Sequence, residues 1–124
     1  MTEASTVTPA AATTPRYGGH SMTATLRSVM VRRPAPAIGP DDWRAFGYQH
    51  PVDHGETERQ HAAFRAILAG EGVDVVDAGA DEPGHLDAIF AYDPSIITDR
   101  GAILLRMGKP VRRDETAFHA LTYG

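Results

Sequence analysis

The sequence predicts one small α/β domain. Short β-rich segments and one well-formed amphipathic helix alternate in the order strand, long loop, helix and further strands, which is typical of a mixed layer arrangement. The 124 residues suffice for a single domain, and the contents of 42% hydrophobic and 23% charged residues are ordinary for a globular protein. Each element of this order has its own signal.

The first strand and the main helix have the clearest patterns. Residues 26–31 form a β-rich run, LRSVMV. Residues 56–72 place Phe64, Ile67 and Leu68 at the spacing of one buried helical stripe, with acidic residues in the first turn and glycines at the end. We therefore expect a strand, a connecting loop and a helix that packs on a core.

Three further strands and the start of a helix follow. VDVVDA at 73–78, DAIFAY at 87–92 and GAILLRMG at 101–108 are the predicted strands, and GADEPGH at 79–85 predicts a turn. Asp114 is expected to cap a last helix through ETAFHAL.

Two segments lack any period. Residues 1–22 are rich in Thr, Ala and Pro and have no secretory signal, so they predict a disordered leader. Residues 32–55 contain four prolines and three aromatic residues, and so long a loop inside a domain is more often a binding loop. The domain is therefore predicted at 23–124, with 32–55 as a lid-like loop that packs against something.

The composition excludes several classes of function. A net charge of −4 disfavours nucleic acid as a partner, and no apolar run approaches the roughly 20 residues of a membrane helix. Cysteine is absent, which excludes disulfides, thiolate metal sites and a cysteine nucleophile from this chain. The absence of cysteine fits a reducing compartment, and we predict a cytoplasmic location.

No cofactor or metal site is predicted. GEG at 70–72 follows a helix rather than a strand and lacks the third glycine of a nucleotide-binding turn. His50 and His54 could share a metal only on a helix, which Pro51 and Gly55 disfavour. A metal-binding module built on these histidines is the least favoured hypothesis.

Two aspartates bracket the apolar stretch DAIFAYDP. Burying a carboxylate is unfavourable unless a cation or hydrogen-bond donor meets it. On a straight strand Asp87 and Asp93 would lie about 20 Å apart, so they could hold opposite ends of one ligand only if the chain bends near Pro94. The alternative is that Asp87 caps a strand entry and Asp93 makes a turn.

The charges in this region match one kind of ligand. An α-amino acid with a guanidinium side chain has two cationic groups, which suit Asp87 and Asp93, and a carboxylate, which suits the fork of Arg112. Phe90 could pack on the alkyl chain or the guanidinium plane. The alternatives are a solvated Arg112 beside Arg113, and core packing for Phe90.

Residues 86–115 resemble the first substrate-binding segment of the dimethylarginine dimethylaminohydrolases and related amidinotransferase-fold enzymes, which include the arginine deiminases. The pattern is Asp-x-x-Phe-x-x-Asp-Pro, a strand with R-x-A-I, an Arg-x-Gly turn and Arg-Arg-x-Glu. Its positions here are Asp87, Phe90, Asp93, Pro94, Arg100, Ala102, Ile103, Arg106, Gly108, Arg112, Arg113 and Glu115. The likeness extends less closely over residues 25–120.

The resemblance implies a partial pentein α/β-propeller, truncated to about one and a half ββαβ units. In that family a cysteine attacks the guanidinium carbon and a histidine moves protons. By analogy Asp93 would bind the guanidinium, Asp87 the α-ammonium and Arg112 the carboxylate, with Phe90 beside them. Tyr92 stands where methylarginine hydrolases have a second acid, which leaves the choice of guanidino substrate open.

Two hypotheses follow. The chain is either the N-terminal substrate-recognition part of a guanidino-modifying hydrolase that binds an arginine-like small molecule, or a non-catalytic assembly fragment completed by a partner chain. Neither the catalytic histidine nor the cysteine of the family has a recognisable match, so no catalytic residue is predicted and the chain alone should be inactive. Exposed strand edges would favour self-association or a partner chain.

Overall fold

The computed structural model describes residues 18, 21–78 and 82–124 and shows a mixed arrangement of helices and strands. The predicted leader at 1–22 lies outside the described residues except for 18, 21 and 22, as do residues 79–81 of the predicted turn. The elements in chain order are β1 (Ser28–Val31), α1 (Asp42–Ala45), α2 (His54–Gly70), β2 (Asp74–Asp77), a 3₁₀ helix (Leu86–Ile89), β3 (Ser95–Thr98), β4 (Gly101–Leu104), a second 3₁₀ helix (Pro110–Arg112) and α3 (Glu115–Tyr123).

The strands form two small sheets. β1 and β2 are parallel, with Ser28 opposite Asp74, and α2 lies in the crossover that connects them. β3 and β4 form an antiparallel hairpin in which Ser95 lies opposite Leu104. Among the described residues each sheet has two strands, so each strand has one edge without a strand neighbour. The ββαβ units of a propeller stay a prediction.

The helix α2 is confirmed and begins at His54, two residues earlier than predicted. Asp53 is its N-cap, and the Asp53 side chain accepts a hydrogen bond from the backbone N–H of Glu56 at 3.0 Å. After the helix ends, Gly72 has a φ of 81°, a left-handed conformation that favours glycine. This conformation of Gly72 allows the chain to turn from the end of α2 into β2.

The buried stripe predicted on α2 is wrong for the described structure. No residue of α2 is buried, and the side chains of Phe64 and Ile67 are 52% and 65% exposed. The apolar core is small and draws on other elements: Val31, Ala35, Phe46, Ala78, Leu86, Ala88 and Met107. None of the described helices has the length and apolar character needed to cross a membrane.

The predicted strand at 87–92 is also wrong. Leu86–Ile89 is a 3₁₀ helix, in which the backbone N–H of Phe90 bonds to the carbonyl of Asp87 at 3.0 Å. Consecutive buried residues in this turn, Asp87 and Ala88, are incompatible with the alternation of a strand. The strand comes later, as β3, where the run SIIT holds three β-branched residues, which favour a strand.

The structure also bears on the predicted loop at 32–55 and on the predicted cap at Asp114. The 32–55 segment includes α1 and buries Phe46, which is 4% exposed, so it packs against the rest of the chain. The helix α3 begins at Glu115 as predicted, but the Asp114 side chain makes no capping hydrogen bond. Its carboxylate lies 2.7 Å from His85 Nε2 instead. Asp114 therefore links α3 to the turn before the first 3₁₀ helix.

Candidate functional site

Arg112 is the centre of a buried network of charges. The residue is 6% exposed, and its Nε and Nη2 atoms donate to the two carboxylate oxygens of Glu115, each at 2.9 Å. Its Nη1 atom donates to Asp93 Oδ2 at 2.9 Å, and Nη2 also lies 3.4 Å from the carbonyl of Phe90. The hydrogen bonds to Glu115 are the main reason that the pKa of Arg112 is raised, so Arg112 is permanently charged.

The local sequence explains the pairing of Arg112 with Glu115. Pro110 opens the second 3₁₀ helix, and Glu115 begins α3 three residues after Arg112. Side chains three residues apart on one helical face are neighbours, and an acid in the first turn suits the helix dipole. Glu115 was not predicted to take part in the site, although the Arg-x-x-Glu spacing is the sequence signal for this pair.

Asp87 lies beside this network and is fully engaged. It is 2% exposed, its Oδ1 atom accepts a hydrogen bond from the Tyr48 hydroxyl, and its Oδ2 atom accepts one from Lys109 Nζ at 2.9 Å. Arg112 Nε lies 3.9 Å from the same Oδ2 atom. Burial and the Asp87 carboxylate together raise the pKa of Tyr48, which keeps its phenol neutral.

The four predicted residues are thus neighbours, and three of them contribute charged side chains. The carboxylates of Asp87 and Asp93 both lie beside the guanidinium of Arg112. The charges of the three side chains therefore partly neutralise one another. A guanidinium has five N–H groups, and four of those of Arg112 are used. One N–H on Nη1 has no partner among the described residues, and Arg112 as a whole is only 6% exposed. The ligand roles of these residues stay predictions.

Asp93 and Phe90 reach an open groove. The groove has a cavity volume of about 600 Å³ and lies between β1, one face of α2 and residues 89–93. The side chain of Asp93 is 46% exposed, and its Oδ1 atom has no partner within 18, 21–78 and 82–124. Groove-lining residues are mostly apolar or neutral: Val29, Met30, Val31, Thr57, Gln60, His61, Phe64, Ile89, Phe90, Ala91, Tyr92 and Asp93. The groove therefore presents one carboxylate among apolar and aromatic side chains.

The balance of charge favours a cation in the groove. The network around Arg112 holds two cations, Arg112 and Lys109, and three carboxylates, those of Asp87, Asp93 and Glu115. One net negative charge remains, and Asp93 is the carboxylate that is exposed to the groove. A cationic group would complete the pairing of Asp93.

A second buried pair joins Ser95 and His119. Ser95 Oγ lies 2.8 Å from His119 Nδ1, and His119 is 1% exposed. Burial, followed by the charges of Arg32 and Arg112, lowers the pKa of His119, so its ring is neutral near pH 7. A serine beside a histidine can act as a nucleophile where substrate reaches it. Both groups are buried, so this pair supports the fold and does not form an open catalytic site.

The histidine-rich stretch does not gather into a metal centre in the described part of the chain. Within residues 18, 21–78 and 82–124 no group of three or more His, Asp or Glu side chains could hold a metal ion. The His50 ring lies 3.0 Å from the carbonyl of Pro51, and His54 Nε2 lies 3.6 Å from Glu58. These histidines make local contacts with their own segment.

No family model matches the chain. Solved structures of dimethylarginine dimethylaminohydrolase are similar to it. A Pseudomonas aeruginosa enzyme variant, complexed with citrulline, is 25% identical with a TM-score of 0.63, and the match covers 81% of this chain and 38% of that one. An adduct with 4-chloro-2-hydroxymethylpyridine is 26% identical with a TM-score of 0.59, over 80% of this chain and 36% of the other.

A further adduct, with S-methyl-L-thiocitrulline, matches at 24% identity and a TM-score of 0.59, over 80% of this chain and 38% of the other. At that identity the likeness concerns the fold alone. The chain spans less than two fifths of the length of the enzyme structures it matches. The described helices and strands therefore correspond to part of the dimethylarginine dimethylaminohydrolase fold.

Proposed function

We propose that this chain is the substrate-recognition part of a guanidino-modifying hydrolase of the dimethylarginine dimethylaminohydrolase or arginine deiminase kind. The observation that carries the proposal is the exposed carboxylate of Asp93 in the groove. A hydrogen bond from Arg112 holds this carboxylate, and Phe90 lies beside it. The fold likeness to an enzyme that was solved with citrulline supports an arginine-like ligand.

The ligand's guanidinium would lie against Asp93. The free Oδ1 atom of Asp93 accepts from it, while the ring of Phe90, 52% exposed, offers a face for the alkyl chain or the guanidinium plane. Arg112 holds Asp93 in place through the hydrogen bond that its Nη1 atom donates to Asp93 Oδ2. Tyr92 is 90% exposed and offers a phenol where a second carboxylate would stand, so the guanidinium meets one carboxylate in the groove rather than two.

The chain supplies recognition without the covalent step. A thiolate attack on the guanidinium carbon needs a cysteine, and this chain has none. We therefore expect purified chain to release no amine or ureido product from arginine or methylated arginines above a blank reaction. Product release that disappears in the Asp93→Asn variant would contradict this part of the proposal.

Calorimetric titration with arginine tests the binding site. Asp93→Asn removes the charge that faces the guanidinium, and we expect its affinity for arginine to fall by about tenfold or more, because hydrogen bonds between charged groups contribute roughly 1.5–3 kcal/mol. Asp41→Asn is the matched control, since Asp41 is exposed and its carboxylate forms a surface ion pair with Arg44. Equal affinities of the two variants, or no binding of arginine to the unaltered chain, would overturn the proposal.

A second candidate function is assembly with another polypeptide. The large apolar side chains on α2 and at the groove are exposed, and the described strands have unpaired edges. Exposed apolar surface rimmed by polar residues is typical of protein–protein contacts. We propose that a partner chain or a second copy covers α2, in which case the groove would be completed by residues of the partner.

Sedimentation velocity over a hundredfold range of protein concentration distinguishes a monomeric chain from one that self-associates. Self-association would appear as a rise in the sedimentation coefficient with concentration. A single concentration-independent monomer, with arginine binding intact, would favour recognition by the chain on its own and remove the second copy as the occupant of α2.

A further inference from the structure

We propose that the groove binds an arginine within an extended peptide, which adds as a strand to the open edge of β1, in preference to free arginine. This inference rests on the proposed guanidine-binding function and narrows its ligand class to peptides. Three observations carry it: the way in which β1 lines the groove, the direction of its backbone groups, and the charge of the groove lining.

The groove runs along the edge of β1. Val29, Met30 and Val31 are consecutive residues of this strand, and all three line the groove. Successive side chains of a strand point to opposite faces, so a groove over one face would be lined by alternate residues only. One face of α2 and residues 89–93 complete the lining. The strand therefore presents its edge, and not one of its faces, to the groove.

The backbone of Met30 is directed towards this open edge. The carbonyls of Arg27 and Val31 accept hydrogen bonds from the backbone N–H groups at the start of β2 and immediately after it, each at 2.8 Å. In a parallel pair alternate residues of a strand bond to its neighbour, so Val29 also faces β2 and Met30 faces away. Within residues 18, 21–78 and 82–124, β2 is the only strand beside β1. The N–H and C=O groups of Met30 can therefore pair with an added strand.

The charge of the lining favours a cationic side chain on a neutral backbone. Asp93 is the only carboxylate among the described residues that line the groove, and its side chain is 46% exposed. None of these residues is a lysine or an arginine, so the carboxylate of free arginine would find no such cation there. An arginine within a peptide offers the same guanidinium to Asp93 and has an uncharged amide in place of that carboxylate.

An added strand would also use the apolar part of the groove. Alternate side chains of a strand point to opposite sides, so an arginine directed to Asp93 has neighbours directed to the other side. The exposed ring of Phe64 on α2 is among the apolar groups available to them. The cavity volume of about 600 Å³ lies within the roughly 300–1,000 Å³ of pockets that enclose drug-sized ligands. The groove therefore suits arginine flanked by apolar residues.

Calorimetric titration with free arginine and with the capped peptide acetyl-Val-Arg-Val-amide tests the proposal. We expect the peptide to bind the unaltered chain about tenfold more tightly, since two backbone hydrogen bonds to Met30 are added. Two further peptides are N-methylated, one at the arginine and the other at the valine that follows it. Only one of these N–H groups can face β1, so one methylation should remove the advantage over arginine and the other should keep it. Loss with both peptides, or with neither, would overturn the strand pairing.

Met30→Pro tests the same hydrogen bonds from the side of the protein. It removes the N–H that faces the open edge and leaves the bonds between β1 and β2 in place, a position at which a strand tolerates proline. The peptide should lose its advantage over arginine in this variant and keep it in Met30→Leu, the matched control.

Equal affinities of peptide and arginine for the unaltered chain would overturn the role of β1 while the guanidine site stands. If Met30→Pro then abolishes self-association in sedimentation, a second copy covers this edge instead of a peptide. If neither ligand binds, the proposed function itself fails. The N-methylated peptides decide the matter even if Met30→Pro does not fold.

Discussion

Two regions of the molecule invert the usual distribution of residues. Around Arg112 the chain buries charge: Asp87, Arg112 and Glu115 are 2%, 6% and 1% exposed. On α2 it exposes apolar surface, with Phe64 and Ile67 more than half accessible. Charged groups are rarely buried unless paired, and monomers rarely expose large apolar patches.

The difference shows which region is complete by itself. The charged network has a partner for each buried carboxylate within the chain, so its desolvation is offset locally. The α2 face lacks such a partner among the described residues and gains little from burial. The network therefore fixes the side chains around Arg112 from within the chain, while the α2 face has no covering element among the described residues.

The largest expected effect comes from breaking the charged network. Glu115→Gln removes the carboxylate that accepts two hydrogen bonds from Arg112, and loss of one partner of a buried pair typically destabilises a protein by about 3–5 kcal/mol. The free energy of unfolding from urea titration should fall by that amount, or the chain should be unfolded outright. Asp41→Asn, which breaks an exposed pair with Arg44, should change it by less than about 0.5 kcal/mol.

Similar urea midpoints for Glu115→Gln and Asp41→Asn would mean that the network around Arg112 contributes no more than a surface pair. The contrast between the two regions would then be one of accessibility alone and not of stability.

The sequence was most informative where structure is local. The helix α2, its glycine ending, β1, β2 and the region of β4 could be predicted because their signals lie within a few residues. DAIFAY failed because its apolar residues resemble a strand, while the buried contacts of Asp87 that favour the 3₁₀ turn come from distant parts of the chain. Tyr48 lies 39 residues before Asp87 and Lys109 lies 22 residues after it.

The sequence singled out three charged residues of the candidate site, but neither their pairing nor the roles of Tyr48, Lys109 and Glu115. Complementary charges singled out Asp87, Asp93 and Arg112, and the structure places all three together. Charge signs alone could not show that the fork of Arg112 is directed to Glu115 rather than outward, since that depends on the tertiary position of α3. The exposure of Phe64 was likewise beyond the sequence, because helical periodicity indicates which face is apolar and not what covers it.

A smaller effect is expected from pH. His119 is buried and neutral, and burial together with Arg32 and Arg112 holds its pKa below the ordinary value of about 6.5. Below pH 6.5 the unfolded chain therefore binds a proton that the folded chain does not, so stability is complete above pH 6.5 and falls as the pH drops towards the folded pKa. Urea midpoints measured from pH 8 to pH 5.5 should show this loss.

His119→Gln provides the comparison for that measurement. A glutamine at 119 could still accept a hydrogen bond from Ser95 but cannot titrate, so the variant's midpoint should vary less between pH 7 and pH 5.5 than that of the unaltered chain. Parallel curves for the unaltered chain and His119→Gln would assign the acid sensitivity to other groups.

The smallest effect on stability should come from the α2 face, where Ile67→Ser replaces a side chain that is 65% exposed. Because little apolar area is lost from burial, we expect the free energy of unfolding to change by less than about 0.5 kcal/mol. Leu86→Ser is the contrasting variant: Leu86 is 8% exposed, and the loss of its buried side chain should cost several times more, about 2–5 kcal/mol.

Any concentration-dependent association in sedimentation should weaken in Ile67→Ser, since the apolar surface available to a partner shrinks. A large loss of stability in Ile67→Ser at concentrations where the chain is monomeric would mean that α2 packs within the chain. The contrast between a self-sufficient charged network and an uncovered helix would then not hold.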